Sequence, residues 1–243
     1  MEKKPNDEND SLDKYIQDEY ARLRDFKDNR ERGYDNYDEE EEEIVKPKGP
    51  LSKFPSTKFT MPVVISYFIF VTATLAYNKL PIGSKLWASG EAVFGKHEYW
   101  RALTSVFTHA DFSHLLSNTP LFFIFGWFLR AYFGVIIFPL ASFLVGIACT
   151  LVTISVYEPH IRLLGASGMV YGMVALWLAF YVRYDIDHSV PMRIFRAVGF
   201  SLILLFPTVF DPRVSYLAHA VGFGVGLVFA ILLAPLVEAK EPK

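Results

Sequence analysis

Cysteine and carboxylates inside apolar runs are what this sequence most lacks. Of 243 residues one is cysteine, Cys149, which excludes a disulfide framework and any zinc site built from thiolates. It lies in the apolar run from Leu144 to Val156 and is expected to be a small buried hydrophobe. Charge is scarce over most of the chain. Residues 1–60 carry 17 of the 26 acidic and 12 of the 24 basic side chains, which leaves 21 charges for the 183 positions from Met61 onward. A soluble domain charges roughly a quarter of its residues to meet water, so this second part is expected to lie in lipid. A basic stripe is missing as well, at net charge −2 and pI near 6.3, and nucleic acid is not an expected partner. The start, Met1 to Asp7, with the acidic residues that follow it, is neither a secretory signal nor an Arg-rich, acid-poor presequence. It is expected to be kept as a cytosolic tail.

The chain divides into a charged tail and linker over 1–60, a membrane domain over 61–237 and a short cytoplasmic end over 238–243. In the tail, Leu12, Tyr15, Ile16, Leu23 and Phe26 recur near helical spacing behind Asp10 or Ser11 as N-cap, predicting a short amphipathic helix over 11–27. From Asp35 to Glu43 the chain is nearly all acid, a self-repelling run that reads as disordered. Lys46, Lys48, Lys53 and Lys58, set among Pro47, Pro50 and Pro55, form a linker with the signature of a cytoplasmic flank. No partner for the tail follows from its composition.

A bilayer takes about 20 apolar residues per helix. Six such stretches are present: Met61 to Leu80, Ser113 to Phe133, Val135 to Tyr157, Ser167 to Val182, Ile194 to Phe210 and Val214 to Val237. The fold class expected is therefore an all-α membrane protein of six transmembrane helices. Spans two and three nearly abut at Tyr132 to Gly134, predicting a tight turn. The long connection from Pro81 to Phe112 has the length of a functional loop. Ten basic residues flank the putative inner ends against six on the outer side, which places both termini in the cytoplasm.

Polar side chains within spans are costly unless paired, and ionisable ones mark function by default. His114 and Asn118 share one face of span two at i and i+4. Ser167 opens span four, with Tyr171 four residues on, and His219 shares a stripe with Gly222 and Gly226 on span six. Gly168 and Gly172 form a matching small stripe on span four, of the kind that lets helices approach closely in lipid. Counting back from the inner ends at about 1.5 Å per residue puts His114, Ser167 and His219 within about one helical turn in depth, near the outer face. The segment Glu158 to Ala166 is then expected to dip inward over a polar pocket, where protein or water must surround it.

These residue types point to nucleophilic chemistry. A serine hydroxyl needs a base, and His219 is the candidate base for Ser167. The oxyanion formed on a carbonyl needs donors, which His114, the Asn118 amide and the Ser167 backbone N–H could provide. No Asp or Glu stands inside any span, so unless Asp111 or Asp211 folds in from a loop a Ser-His dyad is expected, with Tyr171 as an alternative means of orienting the imidazole. Blander readings stand beside these. His219 could be a packing histidine, Ser167 could back-bond in its own helix, and His114 and Asn118 could be polar residues at a helix start. Trp100 and Arg101 could be interfacial anchors, and His97, His109, His160 and His188 are expected to be solvated or interfacial. His97-Glu98 is not followed by the second histidine of a zincin motif, and no metal or other cofactor is expected. A transporter would place its ionisable groups near mid-membrane instead of one face.

Four short motifs occur in order on the expected segments: Trp100-Arg101, His114 with Asn118, Gly165-Ala166-Ser167-Gly168, and Ala218-His219 with Gly222 and Gly226. Together they resemble the rhomboid intramembrane serine proteases, over roughly Tyr99 to Leu233. The resemblance implies Ser167 as nucleophile, His219 as base, and His114, Asn118 and backbone N–H groups as the oxyanion hole. It further implies a loop-folding role for Trp100 and Arg101, transmembrane protein substrates cleaved at a small residue in or near the membrane, lateral access near spans two and five, and a mobile cap over roughly Asp211 to Ser215. The expected setting is the bacterial plasma membrane, with the site toward the outer or periplasmic face. The runner-up is a non-proteolytic, chaperone-like scaffold that binds membrane proteins.

Overall fold

A computed structural model describes residues 7–34, 48–205 and 214–240. Among the described residues the regular structure is helical, with one isolated β-bridge between Ala88 and Leu163 and no strand. The chain separates into two units, Met1–Pro47 and Lys48–Lys243.

The first unit contains α1 (Asp7–Tyr34), of 28 residues, which extends past the expected 11–27 at both ends. The added turns are rich in Asp, Glu, Asn and Arg. They carry no apolar period to betray them, yet Glu and Arg have good intrinsic helix propensity. Tyr15, Ile16, Tyr20, Leu23 and Phe26 are all exposed on α1. The acidic run from Asp35 to Glu43 lies outside the described residues.

The second unit is an all-α membrane fold. Four helical stretches, Thr57–Lys79, Phe112–Phe133, Ile136–Val156 and Tyr216–Leu233, are long and apolar enough to cross a bilayer. They contain α2 (Met61–Lys79), α4 (Phe112–Phe133), α5 (Ser142–Val156) and α8 (Tyr216–Leu233). The expected fourth and fifth spans are α6 (Ser167–Tyr184), as long as α8 but less apolar, and the shorter α7 (Val190–Leu205), and residues 206–210 of the expected fifth span lie outside the described residues. The long connection carries α3 (Arg101–Phe107) and is not a structureless loop.

Residue chemistry sets these boundaries. Pro62 sits in the first turn of α2, where its missing N–H would be unpaired anyway. Gly134 ends α4 at φ +79, with open space where a Cβ would stand. The tight turn therefore needs glycine for its backbone angle alone. Helix α6 is the axle of the bundle: Met169, Val170, Met173, Val174, Leu176 and Phe180 are all buried, so it is covered all round instead of along one stripe. The surrounding helices present Ile65, Phe68, Leu116, Ile203 and Ile231 outward, apolar side chains suited to lipid.

The closest helix pair is α6 with α8. A Cβ added at Gly222 would strike the Gly168 carbonyl, one at Gly226 the Gly172 carbonyl, and one at Gly172 would sit 2.9 Å from the Gly222 carbonyl oxygen. The two small stripes thus face each other, and backbone packs directly on backbone. At the opposite end of the helices from Ser167 an aromatic cluster fills the core, with ring centroids 4.9 Å apart for Phe128 and Trp177 and 4.7 Å for Phe133 and Phe180. Polar tips of aromatic side chains there supply donors to backbone carbonyls outside the helices: Tyr132 donates to the Lys53 carbonyl at 2.6 Å, Trp127 Nε1 to the Ser56 carbonyl at 3.1 Å, and Tyr184 to the Val237 carbonyl.

Candidate active site

The site forms where α4, α6 and α8 begin, so its side chains share one end of the bundle. The connection between α2 and α4 is braced over it. Arg101, only 6% exposed, donates from Nε to Glu98 at 2.6 Å and from Nη1 to the Ser84 and Trp87 carbonyls at 3.4 and 3.3 Å. Its guanidinium also lies over the rings of Trp87 and Trp100, at 4.9 and 5.2 Å. A buried arginine with all these partners fixes the loop from within. Trp100 itself remains 44% exposed. The Ala88–Leu163 bridge then ties this loop to the segment before α6, through bonds of 2.9 and 2.8 Å.

That segment leads to Ser167 through a turn that only glycine accommodates. Gly165 has φ +120, a conformation essentially confined to glycine, and a Cβ there would sit 2.8 Å from His114 Cε1. Glycine is thus required twice, for its angle and for the ring packed against it. Gly165 N–H donates to the Ser105 carbonyl at 2.9 Å. The next residue, Ala166, is fully buried and donates its N–H to His109 Nε2 at 3.2 Å. Ser167 follows as the first residue of α6, where the leading N–H groups of a helix have no intrahelical acceptor.

Ser167, His219, His114, Gly165 and Gly168 line one cleft of about 660 Å³, together with Cys149 and Ser215. Ser167, His114 and His219 are each half-buried. The His219 ring stacks on Tyr171, centroids 4.0 Å apart and planes at 12°. The Tyr171 hydroxyl donates to the Leu204 carbonyl of α7 at 3.3 Å, so the ring that faces His219 is itself held. Ser215 caps α8 by accepting from Ala218 N at 3.1 Å and bonds Tyr157 at 2.7 Å, which fixes where His219 starts. Ser167 and His219 share the cleft, yet among the described residues no hydrogen bond joins their side chains. Such pairs are often loose before substrate binds.

Asn118 stands apart from the cleft. It is 8% exposed, and its amide donates to the His114 carbonyl one turn back at 2.9 Å. A short amide inside a helix finds that carbonyl readily, and the bond occupies one of its two protons. Asp111 caps α4 by accepting from His114 N at 2.8 Å and so serves the helix start. Cys149 is 2% exposed, with its Sγ 3.2 Å from the Ala218 carbonyl oxygen, a buried residue between α5 and α8. Of the expected cap, only Val214 and Ser215 lie within the described residues.

His109 departs from expectation. It is fully buried, not solvated or interfacial, with its ring 5.8 Å from Phe70 and 5.2 Å from His114. Burial, helped by the neighbouring His114, pushes its imidazole down to about 3. It is therefore neutral at physiological pH. The one sequence signal for it was a histidine close before His114 in a loop of few charges.

Comparison with known proteins places this arrangement. Residues 96–236 match the model of the Rhomboid domain, a range that holds every residue of the cleft. The Bacillus subtilis (strain 168) protein named "Putative rhomboid protease YdcA" is 28% identical over 149 residues, covering 59% of this chain and 70% of the relative. "RHOMBOID-like protein 5" of Arabidopsis thaliana is 26% identical over 167 residues, covering 68% of this chain and 54% of the relative.

Proposed function

Since this chain belongs to the rhomboid family, we propose that it is an intramembrane serine endopeptidase that hydrolyses peptide bonds in or near the transmembrane segments of membrane proteins. The observation that carries the reading is the convergence of Ser167, His219 and His114 on one cleft, with Tyr171 stacked on the His219 ring. His219 would take the Ser167 proton as Oγ attacks the scissile carbonyl carbon. The oxyanion would be held by the N–H groups that open α6 and by His114, with the second Asn118 amide proton available once that side chain turns. Collapse expels the amine, which takes the proton from His219. Water, deprotonated by His219, then releases the acyl group from Ser167. With no carboxylate bonded to His219 among the described residues, the Tyr171 stack would fix the plane of the imidazole. The chemistry requires no cofactor.

The substrate would present a small residue at a point where its helix unwinds readily. In this reading both termini are cytoplasmic and the cleft opens toward the outer or periplasmic face of a bacterial plasma membrane. The tail supplies no group to the reaction. One observation favours the non-proteolytic scaffold instead, namely that the Ser167 and His219 side chains are not hydrogen-bonded to each other. Detergent-purified protein tested with a fluorophosphonate probe and a transmembrane substrate separates the two. The protease reading expects labelling and cleavage in the parent and neither in Ser167→Ala; a folded parent that does neither supports the scaffold.

A further inference from the structure

A second buried histidine holds the turn that carries Ser167. His109 stands between α3 and α4, closed off from solvent, and both ring nitrogens have partners. Nε2 lies 3.2 Å from Ala166 N, and Nδ1 lies 3.4 Å from Thr74 Oγ1 on α2. A backbone N–H can only donate, so Nε2 must offer its lone pair and the single ring proton belongs on Nδ1, within reach of Thr74 Oγ1, with the Phe107 backbone as a further acceptor beside the ring. The same threonine oxygen accepts from His109 N at 3.2 Å, so Thr74 fixes both the backbone and the ring. A line of polar contacts thus runs from the first span, through His109, to the peptide just before Ser167.

The position of that peptide matters because the turn is built on a residue with wide backbone freedom. Gly165 is at φ +120, one of many conformations open to glycine, so its surroundings must hold it there. Two consecutive N–H donors provide the restraint, Gly165 to the Ser105 carbonyl and Ala166 to His109. The Ala166 carbonyl meanwhile accepts the first helical bond of α6, from Val170 N at 2.9 Å. Ala166 is thus held through the peptide on each side of it, and a change in its backbone angles would turn both the Ser167 hydroxyl and the Ser167 N–H. Only the His109 restraint is made by a side chain, and so only it can be removed by substitution.

We propose that His109 is a positioning residue: a neutral hydrogen-bond acceptor, anchored to the first span by Thr74, that sets the direction of Ser167. The proposal rests on the protease reading above. Full-length protein in detergent, with Ser167→Ala as the blank, provides the test. In His109→Gln the amide oxygen reaches about where Nε2 stands; in His109→Asn it reaches only the Nδ1 position, and His109→Phe keeps ring bulk without an acceptor. Gln is expected to stay within about threefold of the parent in kcat, while Asn and Phe lose about tenfold with KM nearly unchanged. Thr74→Val is expected to lower kcat in the parent background and to have no further effect on top of His109→Phe. In the parent itself, 15N shifts of the His109 ring should show the Nδ1-protonated tautomer. A Phe variant as active as the parent, a Gln variant as impaired as Phe, or an Nε2-protonated ring would each overturn the proposal. If the Phe variant does not fold, Thr74→Val and the tautomer decide. A folded but inactive parent would sink the protease reading, with the tautomer still judging the His109–Ala166 contact.

Discussion

Gly165→Ala is the most exacting perturbation of the site, because two independent costs fall on one methyl group. At φ +120 an alanine pays about 1–3 kcal/mol in backbone strain. Its Cβ would also stand 2.8 Å from His114 Cε1, where ordinary contact begins near 3.4 Å, so the ring must withdraw by about 0.6 Å. Functional groups tolerate roughly 0.5 Å of displacement, and an error near 1 Å can cost about a hundredfold. The expected result is a 10- to 100-fold fall in kcat/KM with a lowered unfolding midpoint. Initial rates on a fluorescent transmembrane substrate and thermal unfolding in the same detergent measure the two. Gly134→Ala is the control: φ is +79, but nothing lies within 4 Å of the new Cβ. It should cost about 1–3 kcal/mol of stability and leave kcat alone. A Gly165→Ala protein within twofold of the parent in rate, and as stable, would refute the account of the turn.

Further outcomes follow from contacts around the same site. Tyr171→Phe keeps the stack on His219 and loses only the bond to Leu204, so kcat should change less than threefold, whereas Tyr171→Ala should lose about 0.5–1.5 kcal/mol of ring contact and up to about tenfold in kcat. Gly222→Val should part α6 from α8, cost about 1–3 kcal/mol or more and abolish fluorophosphonate labelling, while Gly224→Ala, which meets nothing within 4 Å, should be silent in both assays. Unfolding scans against pH test the burial of His109. Its imidazole stays neutral down to about 3 in the fold against 6.5 for the free group, so the unfolded chain binds the extra proton between those values. The contribution is complete above about pH 6.5 and is lost as pH falls toward 3, the loss reaching about 2 kcal/mol by pH 5; His109→Gln should lack that component. Removal of residues 1–44 should leave cleavage of a model substrate largely intact, and complete loss would place the tail in the mechanism.

What the sequence made legible were residues whose placement depends on helix periodicity. Ser167 and Tyr171, or His219 with Gly222 and Gly226, lie one turn apart whatever surrounds them, and the facing glycine stripes follow from small residues at four-residue spacing. The contacts that depend on distant chain segments stayed hidden. His109 meets Thr74 across 35 positions and Ala166 across 57, and nothing local in a Thr-His-Ala stretch announces either partner. Asn118 shows the converse limit. Its place on the His114 face was readable, but its amide turns to the carbonyl one turn back, a competition between backbone and site that residue type alone does not decide. The ends of α1 were hidden for a third reason, since polar helix formers propagate a helix without any apolar rhythm.

The glycine-on-glycine seam between α6 and α8 has a mechanical consequence. Backbone packed against backbone has no rotamers through which to yield, so these two helices resist shear and separation like a single stiff beam, with Ser167 and His219 mounted on its two halves. Helix α7, by contrast, has Ala197 as its one buried residue among those described and meets the Tyr171 hydroxyl through a single carbonyl near its end. The polar ties of α7 to α6 are made instead by side chains that can change rotamer, the Tyr171 hydroxyl and the guanidiniums of Arg193 and Arg196, which donate to the Val182 carbonyl and the Tyr181 hydroxyl; that contact can yield by rotation about a bond, the glycine seam only by moving a helix.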